Sequence, residues 1–117
     1  MKKVFYLKSC GTNKKIMAAL DLTDWELREI KSKPMTKPEL ESLYQLAKSY
    51  EALFSKKSTQ IKARGIDVKS LSEEDFKALI LDHYSFLKRP VFVSDQEIFI
   101  GNEKDNLENL NRYFQTL

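Results

Sequence analysis

Val4-Phe5-Tyr6-Leu7-Lys8-Ser9-Cys10-Gly11-Thr12-Asn13-Lys14-Lys15, read as VFYLKSCGTNKK, sets the frame for the rest of the chain. Val4 to Leu7 is short, aromatic and β-branched, the pattern of a buried strand. Thr12 or Asn13 then supplies an N-cap for a helix that continues through Ile16, Met17, Ala19 and Leu20. The only cysteine of the chain therefore falls at the carboxyl end of a strand and in front of a helix. Small ligands bind at that place in open α/β sheets. Two influences favour the thiolate there. One is the helix start, with its unpaired N–H groups and partial positive charge; the other is the nearby Lys8, Lys14 and Lys15. Gly11 lets a ligand approach the backbone with no side chain in the way. Gly11, Thr12, Asn13 and Lys14 together form a loop suited to an oxyanion. The competing reading of Cys10 is a small buried apolar residue.

Outward from this stretch, Trp25 to Ile30 (WELREI) alternates apolar and polar residues, as a strand does. Strand, helix and strand in succession predict a βαβ unit. Lys33-Pro34 ends it. Thr36-Lys37-Pro38-Glu39 is a helix start in which Thr36 caps, Pro38 sits early and Glu39 completes a capping box. Leu40, Leu43, Tyr44, Leu46 and Ala47 give that helix its apolar face. Lys48-Ser49 marks a break before a short helix from Tyr50 to Phe54. A further helical piece ends at Gly65. Ser72 with Asp75 opens the next helix, which carries Phe76, Leu79, Ile80 and His83 on one face and ends near Tyr84. After Lys88-Arg89-Pro90, Val91 to Val93 and Ile98 to Ile100 read as a hairpin joined through Ser94-Asp95-Gln96. Asn102 or Asp105 starts a last helix with Leu107, Leu110, Tyr113 and Phe114.

The order is β-α-β, a helical middle, then β-β-α. Four strands with helices on both sides of the sheet make an α/β, thioredoxin-like layout with a four-stranded mixed sheet. The helical insertion, about 36–88, lies between strands 2 and 3. If the strand after Pro90 runs antiparallel beside the first, its start meets the end of that strand. Arg89 and Pro90 then flank Cys10, with Arg89 as a bidentate anion ligand or a stabiliser of the thiolate. The X-Pro bond is a candidate for the cis form. The plainer reading is a surface arginine beside an edge-strand proline.

The chain's 117 residues are expected to form a single domain, 1–117. At 42% hydrophobic and 32% charged it reads as a soluble globular domain. No apolar run has the ~20 residues of a membrane span. No signal-length apolar stretch follows the N-terminal lysines, so a cytoplasmic location is expected. One cysteine forms no internal disulfide, and one histidine with one cysteine assembles no zinc site. The net charge of +3 comes from lysines interleaved with acids, which describes a solvated surface better than a nucleic-acid footprint. Trp25, Tyr44, Tyr50, Phe54 and Phe76 read as core, with none of the aromatic and basic alternation of an RNA-binding sheet. His83 reads as a favourable charge at a helix end.

VFYLKSCGTNKK resembles the opening of the arsenate reductase ArsC / Spx family. ALFSKKSTQIKARGID is similar to that family's middle region, and LDHYSFLKRPVFV to its Arg-Pro-strand signature, with Tyr84 where a proline is usual. IFIGNEKDNLENLNRYF resembles its final strand and helix, with Gly101 at the glycine of the Spx-like branch. The resemblance spans almost the whole chain. It implies a thioredoxin fold with Pro90 in the cis form beside Cys10. It further implies an arsenate reductase-like thiol oxidoreductase in which Cys10 attacks the oxyanion and Arg89 helps to hold it. Glutathione would be the co-substrate and glutaredoxin a possible partner, with no bound cofactor. Two more arginines of the arsenate reductases would fall near Ser55 and Gly101, where neither residue is arginine, although Lys56 and Lys57 adjoin the first. The alternative implied by the resemblance is an Spx-like regulator that docks on RNA polymerase. Members of that branch often carry Cys-x-x-Cys; here Asn13 stands in the second position. With a single cysteine, any oxidised intermediate needs an external thiol.

Overall fold

The computed structural model describes residues 2–117; Met1, where the expected domain begins, lies outside the described residues. The elements run β1 (Lys3–Tyr6), α1 (Gly11–Ala18), β2 (Glu26–Glu29), α2 (Lys37–Ala47), α3 (Tyr50–Leu53), α4 (Thr59–Ala63), α5 (Glu73–Asp82), β3 (Val91–Val93), β4 (Ile98–Ile100) and α6 (Lys104–Gln115). Single 3-10 turns cover Val68–Ser70 and Tyr84–Phe86. The chain divides into two compact units. One runs to Lys33 and resumes at Arg89, and the other is Pro34–Lys88.

The first unit holds a four-stranded sheet in the order β2-β1-β3-β4. β2 lies parallel to β1, with Val4 opposite Leu27 and Phe5 opposite Arg28. β3 is antiparallel to β1, and β4 to β3, so Val4, Phe92 and Phe99 stand in one row across the sheet. The sheet is therefore mixed, as a βαβ unit followed by a hairpin requires. Ladder bonding continues past β2, since Ile30 N–H donates to the Tyr6 carbonyl at 3.0 Å. The strand expected over Trp25 to Ile30 is thus shorter by one residue at each end, while its pairing reaches Ile30.

The Val4–Phe92–Phe99 row carries the core of this unit, joined by Trp25 and by Leu110 of α6. Ile16 and Met17 of α1, and Leu107, Tyr113 and Phe114 of α6, pack against it, so both helices cover the same face. Trp25 stacks on Phe114 at 5.3 Å and meets Phe92 edge-on at 5.6 Å. Burying side chains of this size stabilises by roughly 1.5–3 kcal/mol each. On the other face Phe5, Val91 and Val93 are also buried. Arg28, 4% exposed, lays its guanidinium over the Phe5 ring and donates to the Lys33 carbonyl. Leu27, on the edge strand, is left 51% exposed.

The second unit is built on helix starts that its sequence spells out. Thr36 and Glu39 form the capping box of α2, and Ser72 and Asp75 that of α5. Lys48, at φ 61°, turns the chain out of α2, and Ser49 caps α3. Leu40, Leu43, Leu53 and Ile80 are buried, and Phe54 packs against Phe76 and Phe86. Phe54 forms a one-residue antiparallel bridge with Leu87, so it leaves α3, which ends at Leu53 rather than at the expected Phe54. α5 closes at Asp82, just short of Tyr84. Gly65 adopts φ 64° after α4, the left-handed conformation expected of a helix-ending glycine.

Two expected caps are corrected. The N-cap of α1 is Cys10, neither Thr12 nor Asn13. That of α6 is Glu103, neither Asn102 nor Asp105. In α1 the reason is that the Asn13 side chain is engaged backwards, by Leu7. In α6 the Asn106 side chain reaches back to the Gly101 carbonyl at 2.7 Å and holds the entry to the helix.

Candidate functional site

Leu7 follows β1 and starts a tight turn: Cys10 N–H donates to the Leu7 carbonyl at 3.1 Å. Cys10 keeps an extended backbone (φ −88°, ψ 112°), and its own carbonyl accepts from Lys14 N–H at 3.2 Å, the first bond of α1. Cys10 is half-buried. No side chain caps this helix, whereas the hydroxyls of Thr36, Ser49, Ser58 and Ser72 cap the helices they precede. A sulfur thus stands where other helices of this chain carry an oxygen.

Gly11 and Thr12 are exposed on the first turn, and a Cβ built on Gly11 meets nothing within 4 Å. That open space is what ligand approach to the turn requires. Lys8, Lys14 and Lys15 are exposed. Asn13 is different: it is fully buried, and its Oδ1 accepts the Leu7 N–H at 2.9 Å.

The Arg89–Pro90 bond is cis. Val91 pairs with Phe5, so the entry to β3 meets the exit of β1. Continued past Val91, the antiparallel register brings Pro90 level with Tyr6 and the start of the Cys10 turn. Pro90 is buried and its carbonyl accepts from Gly101 N–H at 2.8 Å; Arg89 is half-buried. Gly101 adopts φ 86° at the exit of β4.

Ser55 and the lysines beside it lie in the other unit. Ser55 N–H bonds to the Phe86 carbonyl at 2.8 Å, and Lys56 pairs with Glu51 at 2.9 Å. His83 closes α5, and its Nδ1 contacts the Ser85 hydroxyl at 2.8 Å and accepts the Ser85 N–H.

One contributor was not visible in the sequence. Glu29, at the end of β2, accepts N–H bonds from Lys8 (2.9 Å), Lys31 (3.0 Å) and Ser32 (2.6 Å). It ties the cysteine turn to the neighbouring strand. Burial pushes its carboxyl upward, but the hydrogen bonds from Lys8, Ser32 and Lys31 outweigh this and hold it below its ordinary value. The contact with Lys8 depends on strand pairing, and no local motif announces it.

The family model described as the ArsC family matches residues 5–110. The global transcriptional regulator Spx 2 of Bacillus anthracis is 28% identical over 120 aligned positions, covering 99% of this chain and 92% of that protein. The Spx 2 regulator of Bacillus cereus is 30% identical, covering 92% and 86%. Among solved structures, arsenate reductase from Vibrio cholerae superposes with a TM-score of 0.73 at 16% identity, over 94% of this chain and 95% of that one. An arsenate reductase (ArsC) related protein from Brucella melitensis gives 0.68 at 19% identity, over 95% and 94%.

Proposed function

The chain belongs to the ArsC family, and on that premise we propose that it is a thiol oxidoreductase whose nucleophile is Cys10. The observation that carries this reading is the placement of Cys10 at the uncapped start of α1, at the end of β1 that the Arg89-Pro90 entry to β3 adjoins. The open space at Gly11 admits a substrate to the start of the helix.

With arsenate as substrate, the Cys10 thiolate bonds to arsenic and one oxygen leaves as water after taking up protons. Arg89 offers its guanidinium fork to the remaining oxygens. An external thiolate, glutathione in this proposal, attacks the Cys10 sulfur. The sulfur–arsenic electron pair stays on arsenic, which falls from the pentavalent to the trivalent state, and Cys10 is left in a mixed disulfide. A second thiol, from glutathione or glutaredoxin, exchanges with that disulfide and returns the Cys10 thiolate. In sum, one arsenate and two thiols give one arsenite, one disulfide and one water.

The test is arsenate reduction with glutathione and glutaredoxin, run beside Cys10→Ser and Arg89→Ala. Turnover by the parent and its loss in both variants is the expected result. A parent protein that neither reduces arsenate nor takes up glutathione from oxidised glutathione overturns the proposal.

The curated relatives favour a second reading, because both carry the name of a transcriptional regulator and align over most of their length. It makes the chain an RNA polymerase-binding module that works without a Cys-x-x-Cys switch, since Asn13 occupies the second position. Failure to recover any polymerase subunit on the tagged protein excludes it.

A further inference from the structure

The Leu7–Lys8 peptide is held at both of its edges. Its carbonyl, on Leu7, accepts the Cys10 N–H at 3.1 Å and closes the turn that carries the cysteine. Its N–H, on Lys8, donates to Glu29 Oε2 at 2.9 Å. Glu29 stands at the end of β2, so one peptide unit links the carboxylate of that strand to the backbone of Cys10. The peptide before it is held separately, because the Leu7 N–H donates to Asn13 Oδ1.

The two carboxylate oxygens of Glu29 have different tasks. Oε1 accepts the N–H groups of Lys31 and Ser32, in the turn that follows β2. These bonds, with the Lys33 N–H on the Glu29 carbonyl at 3.2 Å, fix the side chain from its own end of the strand. Oε2 is thereby left to reach a residue 21 positions away. Lys8 is exposed, so water was available to its N–H, and the chain supplies a carboxylate instead. A charged acceptor binds roughly twice as strongly as a neutral one. It also polarises the peptide it binds, so that the carbonyl at the opposite edge becomes a better acceptor. Order imposed at the Lys8 N–H is thus passed to the Cys10 N–H.

We propose that Glu29 is a positioning residue for Cys10: from the end of β2 its carboxylate fixes the Leu7–Lys8 peptide, and that peptide fixes the cysteine backbone. The inference rests on the reading of Cys10 as a working thiol and names the group that sets where this thiol is held. Glu29 acts through Lys8 and Leu7, not on the sulfur itself. Such order matters to a nucleophile, because a misplacement of about 1 Å costs on the order of 10²-fold in rate. Burial and hydrogen bonds set the state of the Glu29 carboxyl, with no charged side chain among the causes. Lys8 and Lys31, in the two turns it binds, stay charged across the acid range.

Glu29→Gln separates the two tasks. Its single carbonyl oxygen satisfies Lys31 and Ser32, and its amide then sets a donor against the Lys8 N–H; the opposite orientation would set that amide against two N–H groups. Amide hydrogen exchange near neutral pH is expected to quicken about tenfold at Lys8 and about threefold at Cys10. Leu7, held by Asn13, should keep its parent rate and serves as the control. A role confined to stability alters all three amides alike or none. Acceleration at Lys8 with an unchanged Cys10 means that the peptide transmits nothing. Either result overturns the proposal. The parent alone provides a second measurement. On acidification its Lys8 and Cys10 amide resonances should shift with one shared midpoint, below the ordinary carboxyl value of 4.5. A Cys10 resonance that does not follow that of Lys8 overturns the proposal. This titration decides if Glu29→Gln does not fold, and exchange decides if acid unfolds the parent first. Neither readout uses arsenate or glutathione. A protein inert toward both, with the coupling present, therefore defeats the proposed activity and leaves the role of Glu29 standing.

Discussion

Gly11 and Gly101 flank the candidate site and differ in why they are glycine. Gly101 has φ 86°, a conformation in which a side chain is strained by about 1–2 kcal/mol. Gly11 has no such backbone requirement, and a Cβ there meets open space. Gly101→Ala is therefore expected to lower the melting temperature, while Gly11→Ala leaves it unchanged or slightly raised, because a helical glycine is costly in entropy. Thermal melts of the two variants check this. Glu29 makes a separate prediction. Its carboxyl lies below its ordinary value of 4.5 in the folded chain, so its contribution to stability is present above that value. It is lost as the pH falls through the lower, folded value. Asp21, Glu41 and Asp75 are shifted in the same direction by their hydrogen bonds. Denaturant midpoints measured on acidification below about pH 4.5 should fall, and fall less steeply in Glu29→Gln.

At the scale of elements, what could be read in advance depended on how local each signal was. The capping boxes at Thr36 and Ser72 sit wholly within four consecutive residues, and both form as expected. Ser72→Ala should cost about 1 kcal/mol, measured as a shift in urea midpoint at constant slope. α3 shows the limit of local reading. Its first N–H groups, those of Tyr50 and Glu51, are taken by the two carboxylate oxygens of Glu73 at 2.7 and 3.1 Å, a residue on another helix. The start of α1 departs from its local signals for the same kind of reason. Thr12 and Asn13 have better capping chemistry than a cysteine, but Leu7, outside the helix, holds the Asn13 oxygen. The strand signals at Val91–Val93 and Ile98–Ile100 were confined by Pro90 on one side and Gly101 on the other, and both strands end where those residues stand.

For the molecule as a whole, the sheet order followed from two local units, a βαβ and a hairpin, with only one open question: whether β3 joins β1 in the antiparallel sense. Arg89 and Pro90 became candidates through that single assumption. The pairing of Phe5 with Val91 sets their place at the end of β1. Glu29 stayed hidden because its bond to Lys8 arises only after β1 and β2 are side by side. The single thiol also has a consequence for the whole chain. Diamide treatment should give only disulfide-linked dimers, or glutathione adducts when glutathione is present. Asn13→Cys places a second sulfur at the third helical position and should divert oxidation into an internal disulfide, its two hydrogens passing to diamide, read as monomer lighter by two hydrogens on intact-protein mass spectrometry. An Asn13→Cys protein that still yields only dimers would contradict the neighbouring placement of these two side chains.

The one tryptophan of the chain, Trp25, lies in the aromatic core of the sheet-bearing unit, stacked on Phe114. The Pro34–Lys88 unit holds tyrosines and phenylalanines but no tryptophan. Emission excited selectively at the indole band is therefore a private optical channel for one half of the protein. Far-ultraviolet dichroism, by contrast, is weighted toward the helices of 34–88 as well. Following both signals through one denaturation yields the degree of cooperativity between the halves, with no label and no mutation introduced.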